Sequence, residues 1–115
     1  MAEIDRAALD QFLRDVGPVA AKRLAGVFAA ETRRRVEAAQ RLAPAGPGPD
    51  LRREAHSLKS AARTYGAAGI AEAARALEEA CDQNRAGEIA LLARALAETA
   101  ARDLPRFEAV IAAIS

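Results

Sequence analysis

The sequence predicts an all-α protein, an antiparallel four-helix bundle with a short additional N-terminal helix. Alanine, which has the highest helix propensity, is the commonest residue, and β-branched residues are few. No segment alternates apolar and polar residues between hairpin turns, as strands do. Glycine and proline cluster at residues 17–18, 44–49, 66–69 and 84–87, and these breaks divide the chain into five helical segments. Amphipathic helices joined by short loops pack as such a bundle.

The first two segments precede the Pro/Gly-rich stretch PAGPGP. The first covers about residues 5–16, with Ile4, Leu9, Phe12 and Val16 as its apolar residues. The second begins at Pro18, a favourable residue for the first position of a helix, and runs to about Leu42. We expect its apolar stripe to include Leu24, Val27, Phe28, Ala38 and Leu42, and its basic run at residues 33–35 to point mostly outward.

The last three segments follow that stretch. The third begins near Pro49 and Asp50, with Asp50 as the expected N-cap, and ends at Gly66. The fourth covers about residues 68–83. The fifth covers about residues 88–114 and contains Pro105, where we expect a kink or a break because proline removes a backbone donor.

Composition excludes several classes of protein. At 115 residues the chain is one domain, residues 1–115, with 51% apolar, 29% charged and 3% aromatic residues and a net charge of +1. This balance creates no strong field toward nucleic acid or anionic lipid. One cysteine cannot form an internal disulfide, and no apolar run approaches the roughly 20 residues of a membrane span. We therefore expect a cytoplasmic monomer, and the initiating methionine and complete bundle favour a free-standing protein.

The third segment places a histidine on its outer face. Its apolar residues recur at spacings of four and three and form one narrow stripe: Leu51, Ala55, Leu58, Ala62 and Tyr65. His56 lies about 130–140° around the helix from that stripe, on the solvent side. Its neighbours at one and two turns are mostly cationic: Arg52, Arg53, Lys59, Ser60 and Arg63.

This face suits a phosphoryl group. An exposed imidazole is largely neutral and nucleophilic near pH 7, cations attract an anionic phosphoryl group, and the small Ser60 leaves room for a second protein. The sequence shows no acidic cluster beside His56, and we interpret Glu78 and Glu79 as surface residues. It contains neither a P-loop nor a recognisable catalytic partner for His56, so we expect no ATP-dependent kinase activity and no enzyme in the strict sense.

The segment AHSLKSAARTYGA resembles the signature of histidine-containing phosphotransfer (HPt) domains. The matching residues are Ala55, His56, Leu58, Lys59, Ser60, Ala62, Gly66 and Ala67. The resemblance continues into IAEAARALEEAC, residues 70–81, which is similar to the next helix of that family.

The resemblance implies a four-helix bundle that carries a phosphoryl group between receiver domains. His56 would accept it from one phospho-aspartate and donate it to another aspartate, and Lys59 would offset its charge. Arg52, Ser60 and Arg63 would contact the partner, although Ser60 stands where the family often has glycine. Gly66 would end its helix in a left-handed conformation. The partners would be receiver domains of response regulators and of hybrid histidine kinases in a multistep two-component phosphorelay. The chain would bind no cofactor or metal, with Mg²⁺ held by the partner's aspartates.

Two alternatives come from other classes. The chain could be a non-phosphorylated helical adaptor that binds signalling partners through the same helix face. It could also be a small nucleic-acid-binding protein that uses its arginine clusters, which the near-zero net charge argues against. A histidine-kinase dimerisation helix is disfavoured because Ser57 follows the histidine where that class has an acidic residue.

Overall fold

Residues 4–114 are described by the computed structural model, and within them the chain is helical and contains no strand. The α-helices are α1 (Arg6–Val16), α2 (Pro18–Leu42), α3 (Pro49–Tyr65), α4 (Ala68–Asp82) and α5 (Ile89–Ala112). Single 3₁₀ turns at Ala43–Ala45 and Ala86–Glu88 lead toward α3 and α5. Across the described range, no helix combines the length and the hydropathy that crossing a bilayer requires.

The helix starts follow local chemistry, with one correction. The Asp5 side chain caps α1 by accepting a hydrogen bond from the Ala8 amide at 3.1 Å. The prediction that Asp50 is the N-cap of α3 is wrong, because Gly48 is the N-cap and Pro49 is the first helical residue. Pro49 has the backbone angle of a first helical position and lacks the amide that would remain unpaired there, so Asp50 moves into the first turn.

Helix α5 continues through Pro105, so of the kink or break predicted there, the break does not occur. The proline lies at the surface, as does Ala101, the residue whose carbonyl loses the amide partner that proline cannot supply. On the opposite side of α5, Leu104, Phe107 and Ile111 are buried in the core. The packing of these side chains holds α5 in helical conformation on both sides of the missing hydrogen bond.

The core lies between α2, α3, α4 and α5, and α1 adds Leu9 and Phe12 at one end. An aromatic cluster joins Phe28, Tyr65 and Phe107, with the Phe28 and Tyr65 rings 4.6 Å apart. In α2 the buried stripe is offset from the predicted one, and Val27 is 58% exposed. Phe28 faces the core together with the residues one turn away on either side, and Val27 lies about 100° around the helix from Phe28.

Small residues set the distance between α3 and α4. Ala55 and Ala62 of α3 and Ala71 and Ala74 of α4 are buried in the core. Alanine side chains let two helix backbones approach toward the short end of the usual 8–10 Å separation. Long polar side chains on the rim of this contact can therefore reach from one helix to the other.

Gly66 ends α3 and joins it to α4. Its φ of 76° and ψ of 17° are left-handed, and its carbonyl accepts a hydrogen bond from the Asp5 amide at 2.7 Å. A Cβ atom there would lie 2.5 Å from the Asp5 carbonyl oxygen, so both the backbone angle and the space require glycine. The start of α1 is thereby fixed to the end of the helix that carries His56.

Candidate functional site

His56 projects from the rim of the α3–α4 contact. Its side chain is 50% exposed, whereas Ala55 and Leu58 on the inner face of the same helix are buried. The imidazole also contacts a side chain of the neighbouring helix. Its Nδ1 atom lies 2.6 Å from Oε2 of Glu78, which comes from α4.

Glu78 is the centre of this site. Its side chain is only 7% exposed, and among the described residues three side chains of α3 contact its carboxylate. The imidazole Nδ1 and Nη2 of Arg52 approach Oε2 at 2.6 and 3.3 Å, and Nζ of Lys59 approaches Oε1 at 2.6 Å. A buried carboxylate requires such partners, because an unpaired charge in this position would be strongly destabilising.

The prediction that Glu78 lies on the surface, with no acidic group beside His56, is wrong. Glu78 follows Ala71 and Ala74 at spacings of seven and four, so it shares the helix face that packs on α3. Glu79, one position on, does point outward, where it pairs with Arg75 at 2.6 Å. The spacing of Glu78 from the alanine stripe is the signal in the sequence that could have identified it.

The surroundings of Glu78 keep it ionised. Burial by itself raises the pKa of the Glu78 carboxyl, but hydrogen bonds and charges from Lys59 and His56 outweigh burial and hold the pKa below its ordinary value. A carboxylate can only accept hydrogen bonds, so the Nδ1 atom facing it must carry a proton. In the neutral imidazole the lone pair then lies on Nε2, the other ring nitrogen.

Arg52 links the two helices one turn away from His56. Its Nε atom lies 2.5 Å from Oδ1 of Asp82, and its Nη2 atom lies 3.3 Å from Oε2 of Glu78. The hydrogen bond and negative charge of Asp82 raise the pKa of Arg52 above its ordinary value. This arginine, predicted to contact a partner, is paired with two carboxylates of its own chain.

The remaining predicted residues lie farther along α3. Lys59 is only 18% exposed, because it bends over the α3–α4 contact toward Glu78. Ser60 and Arg63 are exposed, and Arg63 borders a surface cavity that Gly66 and Glu72 also line. His56, Lys59 and Arg52 therefore converge on one carboxylate, while Ser60 and Arg63 extend the same face without joining that cluster. Within residues 4–114, no group of three or more histidine, cysteine or acidic side chains could hold a metal ion.

Comparison with protein-family models matches residues 23–115 to the model described as Hpt domain. The matched range begins within α2 and includes all of α3, α4 and α5, so it contains the whole cluster around Glu78. Comparison with curated proteins and with solved structures gave no match.

Proposed function

Because the chain belongs to the Hpt domain family, whose members transfer phosphoryl groups through a histidine in two-component phosphorelays, we propose that His56 is the phosphoryl-carrying residue. The sequence contains a single histidine, so no other residue of the chain can fill this role. The observation that carries the proposal is the arrangement of its ring: Nδ1 is held by a buried carboxylate, and half of the side chain is open to a second protein.

The transfer step follows from this arrangement. The lone pair on Nε2 attacks the phosphorus atom of an aspartyl phosphate on a receiver domain. An N–P bond forms, the acyl O–P bond breaks, and its electron pair stays on the receiver's carboxylate. Positive charge develops on the imidazole during attack, and the Glu78 carboxylate 2.6 Å from Nδ1 stabilises it. Transfer to the next aspartate is the reverse of this step.

Lys59 supplies the neighbouring positive charge. Lys59 lies one helical turn beyond His56, and its Nζ atom, 2.6 Å from Oε1 of Glu78, is proposed to turn toward the phosphoryl group once this is bound. Ser60 and Arg63, exposed on the same face, are proposed to contact the receiver domain. Mg²⁺ is proposed to be held by the receiver's acidic residues, since phosphoryl transfer needs in-line positioning and charge neutralisation.

The proposal describes a carrier and not a kinase. We take α2 to α5 to form an antiparallel four-helix bundle that acts as a cytoplasmic monomer and presents α3 to its partners. Receiver domains of response regulators and of hybrid histidine kinases are the proposed donors and acceptors.

A phosphorylated receiver domain with a radioactive label tests the proposal. We expect the chain to acquire acid-labile, base-stable phosphate, as a phosphoramidate is, and His56→Gln to acquire none. The variant should keep its helical circular dichroism, because Lys59 and Arg52 still neutralise Glu78 after the imidazole is removed. Labelling of His56→Gln would contradict the proposal. Absence of label on the unaltered chain, together with unchanged receiver binding by His56→Gln, would instead support the adaptor alternative.

A further inference from the structure

The contacts between α3 and α4 form two successive pairs. His56 of α3 contacts Glu78 of α4. Arg52, one turn before His56 on α3, contacts Asp82, one turn after Glu78 on α4. Arg52 also reaches back to Glu78, so its guanidinium spans both carboxylates. Arg53, its neighbour on the same helix, is 69% exposed and pairs with Asp50 at 3.4 Å. Two adjacent arginines thus have different surroundings.

We propose that Arg52 is a positioning residue, which acts through Glu78 on the His56 ring and not by contact with a partner protein. The inference rests on the proposed role of His56. Arg52 Nη2 and His56 Nδ1 approach the same oxygen, Oε2, while Lys59 binds Oε1. Asp82 fixes Nε of Arg52, and the planar guanidinium then determines where Nη2 lies. The carboxylate is thereby held in the rotation that presents Oε2 to Nδ1.

The two cations have different tasks under this proposal. Lys59 has a flexible stem and one charged atom, so it can leave Oε1 for an incoming phosphoryl group. Arg52 is anchored by Asp82 and remains on Oε2 when Lys59 moves. Glu78 therefore stays neutralised and oriented in the phosphorylated state, when its charge would otherwise repel the phosphate.

The two arginines provide a matched pair of variants. Arg52→Gln and Arg53→Gln each remove one positive charge from the same face of α3, but only the first alters the contacts of Glu78. Imidazole ¹⁵N chemical shifts report the proportion of the two neutral tautomers, independently of any phosphoryl transfer. We expect the Nδ1-protonated tautomer to dominate in the unaltered chain and in Arg53→Gln, and a mixture of tautomers in Arg52→Gln.

The second measurement is the rate of phosphate uptake from phosphoramidate, a small phosphoryl donor with an N–P bond that requires no docking surface on the chain. We expect Arg52→Gln to take up phosphate about two- to fivefold more slowly than the unaltered chain. Arg53→Gln should take up phosphate at the rate of the unaltered chain. An unchanged tautomer ratio in Arg52→Gln, or equal slowing by both variants, would overturn the positioning role. If the unaltered chain acquires no phosphate, the proposed function fails, while the tautomer ratios still decide whether Arg52 orients the ring.

Discussion

Replacing Glu78 by glutamine removes the negative charge that faces His56 Nδ1 while keeping the size of the side chain. The amide oxygen can still accept a hydrogen bond from the Nδ1–H group, so the test concerns the charge and not the presence of an acceptor. Hydrogen bonds to charged groups contribute about 1.5–3 kcal/mol and neutral ones about 0.5–1.5 kcal/mol. The 2.6 Å contact belongs to the first kind, so Glu78→Gln weakens the stabilisation of the developing imidazolium by about 1–1.5 kcal/mol. That loss corresponds to about five- to tenfold slower phosphoryl uptake.

An opposing effect must be weighed against this loss. In Glu78→Gln, Lys59 and Arg52 no longer face a carboxylate, and their released charge would attract the phosphoryl donor more strongly. We expect the direct hydrogen bond to dominate, because the carboxylate lies 2.6 Å from a ring atom whereas Lys59 must reorient to reach the donor. The prediction is therefore a decrease in rate.

The assay is the initial rate of labelling by phosphoramidate at neutral pH, followed by gel separation of the phosphorylated protein. Glu79→Gln is the matched control, because Glu79 undergoes the same change one position along α4 but pairs with Arg75 and Gln83. We expect the control to label at the rate of the unaltered chain. Equal or faster labelling of Glu78→Gln would refute the reasoning and show that Glu78 serves mainly to restrain Lys59.

Three further predictions concern charge, packing and pH. Lys59→Ala should slow transfer from a receiver domain by about tenfold without abolishing it, since one charge-assisted contact is lost. Unchanged rates would limit Lys59 to its pairing with Glu78. Gly69→Ala should lower the free energy of unfolding in urea by about 1–3 kcal/mol, because its Cβ would overlap with Oδ2 of the buried Asp103, which would have to shift. The same change at the exposed Gly26, where an added Cβ atom would have nothing within 4 Å, should raise the free energy of unfolding by about 0.5–1 kcal/mol. Equal effects at both sites would contradict this packing argument. Because the pKa of Glu78 is lowered in the folded chain, its ionised form stabilises the fold above the ordinary pKa of 4.5, and this stability is lost as the pH falls through the folded-state pKa. We therefore expect the free energy of unfolding in urea to fall less between pH 6 and pH 3 in Glu78→Gln than in the unaltered chain.

Local patterns in the sequence predicted much of the fold. Helix α2 begins at Pro18 and ends at Leu42 as expected, and the four-and-three spacing in α3 predicted that Leu51 and Ala62 are buried while His56 is exposed. These features depend on propensity, capping and periodicity, which act within one or two turns of a helix. The resemblance of residues 55–67 to the HPt signature identified the family that the match over residues 23–115 shows.

Other features followed from packing between distant segments. Val27 is exposed and α5 continues through Pro105, because the contacts of each helix with its neighbours select the buried face and support a helix that lacks one hydrogen bond. A local pattern contains neither the neighbours nor the strength of their packing.

The sequence by itself determined that one histidine stands on an outward helix face with cations around it. Only the tertiary structure decided what that histidine touches. Glu78 is 22 positions away, and its contact with His56 depends on how α3 and α4 are rotated and aligned against each other. Buried alanines let the helices approach closely, and this approach places a buried carboxylate against Nδ1 and lets Arg52 pair with carboxylates of its own chain.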